Sequence, residues 1–283
     1  MFSNAHSAIM CERRIRRRIA SYDPDVVVSV HPTMNRTPIL ATKRISKAVG
    51  KHIPFFTVVT DLGSGHAMWF HKNIERMYVA SERIRKLARR RGWTPEEKIV
   101  MSGLPIRHDF AVQANLMGNR TSAEGKAYQH TIRTELGLDP DKQMVLVMGG
   151  GEGVGSLSDI VNELYAKFTE QGIDATICVI CGRNDKLKKD LELRDWNTVL
   201  AASSKTTGKN LVKKSKRNPE IQRALDNSEH GIAATPGAVK VIGLGFVSQM
   251  AEYMVAADVL VTKAGPGTIA EAAAVGLPVM LTR

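Results

Sequence analysis

Thr-Lys-Ala-Gly-Pro-Gly-Thr-Ile-Ala-Glu, residues 262–271, decides the reading of this chain. It follows the apolar run 258–261 and opens the alanine-rich stretch 269–275, so a short buried strand, a glycine turn and a helix start follow one another. That order builds an anion cradle. Gly265 and Gly267 let the backbone approach a ligand closely, and the helix start offers N–H groups that no earlier turn has used. A glycine turn between strand and helix is by itself only a connection. The same grammar recurs upstream, however, where Val-Leu-Val-Met at 145–148 runs into Gly-Gly-Gly-Glu-Gly-Val-Gly at 149–155 and then into a helical period over 157–168. Gly149, Gly150, Gly151, Glu152 and Gly153 thus join Gly265, Gly267, Thr268, Ile269, Ala270 and Ala272 as candidate binding positions. Two such loops in one half point to one nucleotide diphosphate held from two sides.

Neither loop fits the commoner nucleotide fingerprints. The loop at 149–155 lacks a Gly-Lys-Ser/Thr ending, which excludes a P-loop. A dinucleotide Gly-x-Gly-x-x-Gly pattern fails from either start, at Val154 in one frame and at Glu152 in the other.

The 283 residues are 43% hydrophobic, enough for two α/β domains. Lys and Arg number 40 against 28 Asp and Glu, a formal charge of +12 that favours an anionic partner. Cys11, Cys178 and Cys181 do not make a disulfide framework. Cys178 and Cys181 have the spacing of a redox or metal pair but lie in the apolar run 175–181, so they read as core residues of a buried strand. No apolar stretch has the length of a membrane span, and no signal-peptide segment opens the chain.

Strand-like segments at 26–30, 54–60, 77–80, 98–101, 145–148, 175–181, 239–242, 259–261 and 279–281 alternate with helical ones at 37–49, 81–91, 157–170, 186–193 and 249–257. This is the pattern of parallel sheets covered by helices. Residues 111–138, polar and without an apolar period at their start, read as a linker between an N-terminal domain (1–110) and a C-terminal one (139–283). Residues 203–236, with seven basic and three acidic side chains, read as a solvated insertion.

A family resemblance rests on eight motifs taken together: Val-Ser-Val-His-Pro at 28–32, Thr-Val-Val-Thr-Asp-Leu at 57–62, Trp-Phe-His at 69–71, Gly-Leu-Pro-Ile-Arg at 103–107, Met-Gly-Gly-Gly-Glu-Gly at 148–153, Val-Ile-Cys-Gly-Arg-Asn at 179–184, Gly-Phe-Val at 245–247, and 262–272. In order and spacing the chain resembles the monogalactosyldiacylglycerol synthases, which are similar to the bacterial peptidoglycan glucosaminyltransferase. The resemblance implies an α/β fold of two Rossmann-like domains facing across a cleft (GT-B type). It implies transfer of galactose from UDP-galactose to diacylglycerol with inversion, without a metal or other cofactor, peripherally on the plastid (chloroplast) envelope. Another lipid acceptor, or a non-catalytic basic fragment that binds nucleotide or membrane, are the alternative readings. A homodimer is compatible with any of them.

By this resemblance the backbone of Phe246, Val247, Ser248, Gln249 and Met250 reads the uracil, and Arg183 joins the donor site. Glu271, one turn into its helix, can accept both ribose hydroxyls, although a helix-start Glu also simply suits the dipole. Arg107, taken to close the first domain, can pair with phosphate as a fixed fork. His66, Trp69 and His71 would lie near the acceptor, with Trp69 and Phe70 dipping into lipid. The alternative for that cluster is a small satellite core. His31 and Asp61, at strand ends, are the catalytic candidates within the chain. The general base that the resemblance implies, the His of a Gly-Gly-Gly-His loop, has no counterpart before Val26, and the closing helices expected after Leu281 are not in the sequence. The expectation is an incomplete product of its gene. The basic runs 13–18 and 83–91 are expected to meet an anionic phospholipid surface rather than nucleic acid, because no aromatic stacking ladder accompanies them.

Overall fold

The computed structural model describes residues 2–149, 156–203, 237–263 and 265–282. The expected positions Gly150, Gly151, Glu152 and Gly153, and all but the first residue of the 203–236 insertion, lie outside them. The chain divides into two compact units, residues 1–106 and 107–283.

The first unit runs α1 (Phe2–Ala20), β1 (Val27–Ser29), α2 (Arg36–Val49), β2 (Phe55–Val58), β3 (Arg76–Val79), α3 (Glu82–Gly92) and β4 (Ile99–Met101). Its four strands pair in parallel in the order β1-β2-β3-β4. In α2 the apolar face recurs at helical spacing, Ile39, Ala41 and Ile45 being buried, and Gly50 ends the helix in the left-handed region that a side chain resists. Ser81 caps α3 through the N–H of Ile84, while Ile84 and Ala88 are buried and Leu87 packs against the core, leaving most of the basic residues outside. The core gathers Phe55, Val59, Trp69, Phe70, Met77 and Val79.

The second unit runs α4 (His108–Met117), α5 (Ala123–Glu135), β5 (Gln143–Met148), α6 (Ser156–Glu170), β6 (Ala175–Ile180), α7 (Asp185–Leu193), β7 (Val239–Leu244), α8 (Met250–Ala256), β8 (Val259–Thr262), α9 (Pro266–Ala274) and β9 (Val279–Leu281). Its sheet is parallel throughout, ordered β7-β6-β5-β8-β9. Helices cover β5 and β6, which explains their unbroken apolar runs.

The expected linker is corrected. Residues 111–138 are mostly α4 and α5, part of the second unit. Their inward face mixes Met117, Ile132 and Leu138 with buried polar side chains that serve the carboxyl end of α8. The Arg120 guanidinium donates to the carbonyls of Met254 (2.7 Å), Val255 (2.9 and 3.0 Å) and Ala257 (2.9 Å). The Gln129 amide reaches Ala256 and Ala257, and Arg133 Nε reaches Ala256 at 2.8 Å. Buried polar groups need such partners, so a hydrophobic period is missing where the packing is polar. Gly125 lies close beneath this segment: a Cβ there would stand 2.1 Å from the Asn119 carbonyl.

Candidate functional site

In the second unit the chain runs β5, β6, β7 toward one edge, then returns to lay β8 and β9 on the other side of β5. The order reverses between β5 and β8, whose last residues, Met148 and Thr262, face each other in register. In open parallel sheets, ligands occupy the crevice outside the carboxyl ends at such a reversal. Gly149 follows β5 and Gly265 follows β8, so the first glycine of each glycine-rich segment stands at that edge. Because every strand is parallel, Arg183 after β6 and Phe246 after β7 fall on the same edge.

Gly265 is the N-cap of α9 and supplies no side-chain cap; Pro266 follows without an N–H. The N–H groups of Gly267 and Thr268 therefore begin the helix without capping by a side chain. A Cβ on Gly267 would meet nothing within 4 Å, and one on Gly265 only Thr268 Oγ1 at 3.8 Å. Among the described residues, neither glycine has a positive φ or a neighbour that would exclude a side chain. Ile269 and Ala270 are half-buried, and Ala272 is fully buried.

Arg107 and Glu271, expected in separate roles, come together. Arg107 Nε donates to Glu271 Oε1 at 2.8 Å and the second nitrogen, Nη2, to Oε2 at 2.9 Å, a two-bonded fork. The Glu271 side chain is 13% exposed and that of Arg107 is 56%. The guanidinium also lies 4.8 Å from the centre of the Phe110 ring, which is itself buried. The hydrogen bonds to Glu271 hold the Arg107 pKa above its ordinary value, against partial burial. Arg107 does not close the first unit; it opens the second as N-cap of α4. The spacing of Arg107 and Phe110 was visible in the sequence, but nothing there indicated the stacking.

Phe246 is 78% exposed, Val247 half-buried, Ser248 and Gln249 exposed, and Met250 turns into the core as α8 begins. Arg183 is exposed beside Asn184, whose side chain caps α7 through the N–H of Leu187. Cys178 and Cys181 are buried and unpaired, and burial pushes the Cys178 thiol up to about 12, so these two side chains fill the core as expected.

In the first unit the expected cluster follows the carboxyl ends of β1 and β2, but its chemistry is largely committed. Asp61 Oδ2 accepts the indole N–H of Trp69 at 2.7 Å. His31 Nδ1 lies 2.9 Å from Thr33 Oγ1 and accepts from the N–H of Thr33, and His66 Nδ1 accepts from Met68 N–H, each opening a 3-10 turn. His71 Nδ1 accepts from Asn73 N–H; burial first, then Arg36 and Lys72, lower its pKa. Trp69 is 1% exposed and Phe70 6%, which corrects the expectation that they dip into lipid: both belong to the core. Their amphipathic order in sequence did not reveal that Asp61 satisfies the indole and so permits its burial. A bulky residue that sequence reasoning missed is Trp93, 80% exposed and left-handed (φ 51°) at the end of α3.

Asp-Pro-Asp, a spacing that can serve a divalent cation, occurs at 23–25 and at 139–141. The first precedes β1; the second precedes β5, at the edge of that sheet away from Gly149 and Gly265. Asp25 pairs with Lys51, and Asp139 accepts the N–H of Asp141. Among the described residues no group of three or more His, Cys, Asp or Glu is placed to hold a metal. No described helix is long and apolar enough to cross a membrane.

Comparison with known proteins follows the same division. Residues 2–106 match the family described as Monogalactosyldiacylglycerol (MGDG) synthase, and residues 197–282 match the Glycosyltransferase family 28 C-terminal domain. Monogalactosyldiacylglycerol synthase 1, chloroplastic, of Arabidopsis thaliana is 33% identical over 98% of this chain and 42% of its own length. The Spinacia oleracea monogalactosyldiacylglycerol synthase, chloroplastic, is also 33% identical, over 98% of this chain and 43% of its length. The chain thus spans less than half of these relatives. Among solved structures, Acinetobacter baumannii MurG superposes with a TM-score of 0.52 at 14% identity, covering 98% of this chain and 58% of that one. The fold is the one expected, α/β of the GT-B class.

Proposed function

We propose that this chain, whose residues 2–106 belong to the monogalactosyldiacylglycerol synthase family, serves the transfer of galactose from UDP-galactose to 1,2-diacylglycerol, with inversion, at the plastid envelope. The observation that carries the reading is that Gly149 and Gly265, the first glycines of the two glycine-rich segments, follow the neighbouring strands β5 and β8, where the strand order reverses. There the starts of α6 and α9 offer N–H groups to the diphosphate, and charge developing on the leaving UDP is met by fixed dipoles rather than by a metal. Glu271 takes the ribose hydroxyls, and the backbone of 246–250 takes the uracil. The first unit serves the acceptor. Its basic α3, with Arg83, Lys86, Arg90, Arg91 and the neighbouring Trp93 exposed, replaces Trp69 as the surface offered to anionic phospholipid.

The test is calorimetric titration of the whole chain with UDP and ADP, together with a transfer assay using UDP-galactose and dispersed diacylglycerol in the presence of a chelator. The expected outcome is UDP binding, weak or absent ADP binding, and a galactolipid product that the chelator does not suppress. Equal or absent binding of the two nucleotides overturns the donor reading. A product formed only without the chelator overturns the metal-free step.

A further inference from the structure

We infer that Arg107 is a positioning residue for the donor nucleotide: it stays on Glu271 and fixes that carboxylate for the ribose diol, rather than leaving it for a phosphate. The inference rests on the donor site proposed above and concerns how that site distinguishes ribose.

An ionised carboxylate has roughly four acceptor positions, two on each oxygen. The fork of Arg107 uses one on each oxygen, at 2.8 and 2.9 Å, and no other side chain among the described residues bonds this carboxylate. Two acceptor positions remain, again one on each oxygen. That number and spacing suit two vicinal hydroxyls. A carboxylate without the fork turns freely about its last torsion and presents the pair only part of the time.

Arg107 is itself held. Its planar group lies against the buried Phe110 ring, 4.8 Å from the centre, and its backbone is fixed as the N-cap of α4. Glu271 stands on α9, the helix that begins at the glycine turn. The fork therefore joins α4 to the helix whose N-terminus faces the diphosphate. Lys could supply the charge but not the two parallel bonds.

The experiment measures the preference for UDP over 2′-deoxy-UDP by calorimetry on the whole chain. It uses wild type, Arg107→Gln, Arg107→Lys and Glu271→Gln, with circular dichroism to confirm folding. The wild type is expected to favour UDP by about tenfold or more, the worth of a hydrogen bond to a charged acceptor. Both Arg107 variants are expected to bring that ratio near one while changing 2′-deoxy-UDP affinity less, and Glu271→Gln to do the same. Adding Arg107→Gln to Glu271→Gln should leave the ratio where it was.

Absence of UDP binding by the wild type defeats the donor reading and this inference with it. Binding without a preference places Glu271 off the diol and overturns the inference alone. A preference that survives in Arg107→Gln, or that Arg107→Lys restores, assigns Arg107 to bulk charge or phosphate and overturns it too. Should Arg107→Gln not fold, Arg107→Lys decides: a retained preference refutes the fork, and a lost one supports it.

Discussion

Gly267 has room for a side chain and no backbone need to lack one. Gly267→Ala should therefore raise stability by about 0.5–1 kcal/mol, as expected for Gly replaced in a helix, and yet weaken UDP binding. Urea denaturation and calorimetry on the same protein check both halves. Gly125 makes the contrast: its missing Cβ would collide with the Asn119 carbonyl, so Gly125→Ala should destabilise. His71 yields a pH dependence. Burial holds its folded pKa below the unfolded value of about 6.5. The unfolded chain then takes the proton first, and the stability that neutral His71 supplies is complete above pH 6.5 and falls as the pH drops toward the folded pKa. Melting curves at pH 7.5, 6.5 and 5.5 should show that loss in the wild type and less of it in His71→Asn.

Among the elements, α5 and the turn before it show how sequence patterning can mislead. Arg120 is buried among neutral carbonyls, and that burial lowers its pKa to about 10, leaving it charged at neutral pH. Its nitrogens serve three carbonyls where α8 ends. Arg120→Ala leaves these acceptors buried without donors and should cost about 3 kcal/mol in urea denaturation. Arg120→Lys should fall between that variant and the wild type, because it keeps donors but not the fork. The strand β6 behaves as its apolar pattern indicates. Cys178 and Cys181 should resist an aromatic disulfide reagent until the chain unfolds, whereas exposed Cys11 reacts at once. Two thiols titrating together in the native protein would refute the buried assignment.

At the scale of the whole molecule, the +12 balance leaves basic groups exposed on α1 and α3 of the first unit. The chain should sediment with vesicles containing anionic phospholipid and detach as salt rises, since exposed charges are screened beyond about 8 Å at physiological ionic strength. Trp93 should supply a salt-resistant part. Trp93→Gly should lessen that part while relieving a left-handed backbone that glycine adopts freely. Trp69→Ala should instead unfold the first unit, because Trp69 is core. Binding indifferent to salt and to lipid charge, or a strong preference for RNA, would detach the basic surface from membranes.

The parallel α/β plan was legible because local periodicity records it: apolar runs make buried strands, helical spacing makes amphipathic helices, and glycine marks the turns between them. The glycine start of α9 after β8 was legible for the same reason, its residues being nearly contiguous. Only the tertiary structure decided which strands adjoin, and so that Gly149 and Gly265 follow neighbouring strands where the order of the sheet reverses. It alone showed that a polar stretch read as a linker packs against α8, that Asp61 allows Trp69 to be buried, and that Arg107 grips Glu271 across 164 residues of sequence. Each of these depends on a hydrogen bond that local periodicity does not record, between residues 8 apart for Asp61 and Trp69 and 135 and 164 apart for the other two. A sequence records such a bond only as two polar residues, and their meeting is fixed by the packing of the elements that carry them.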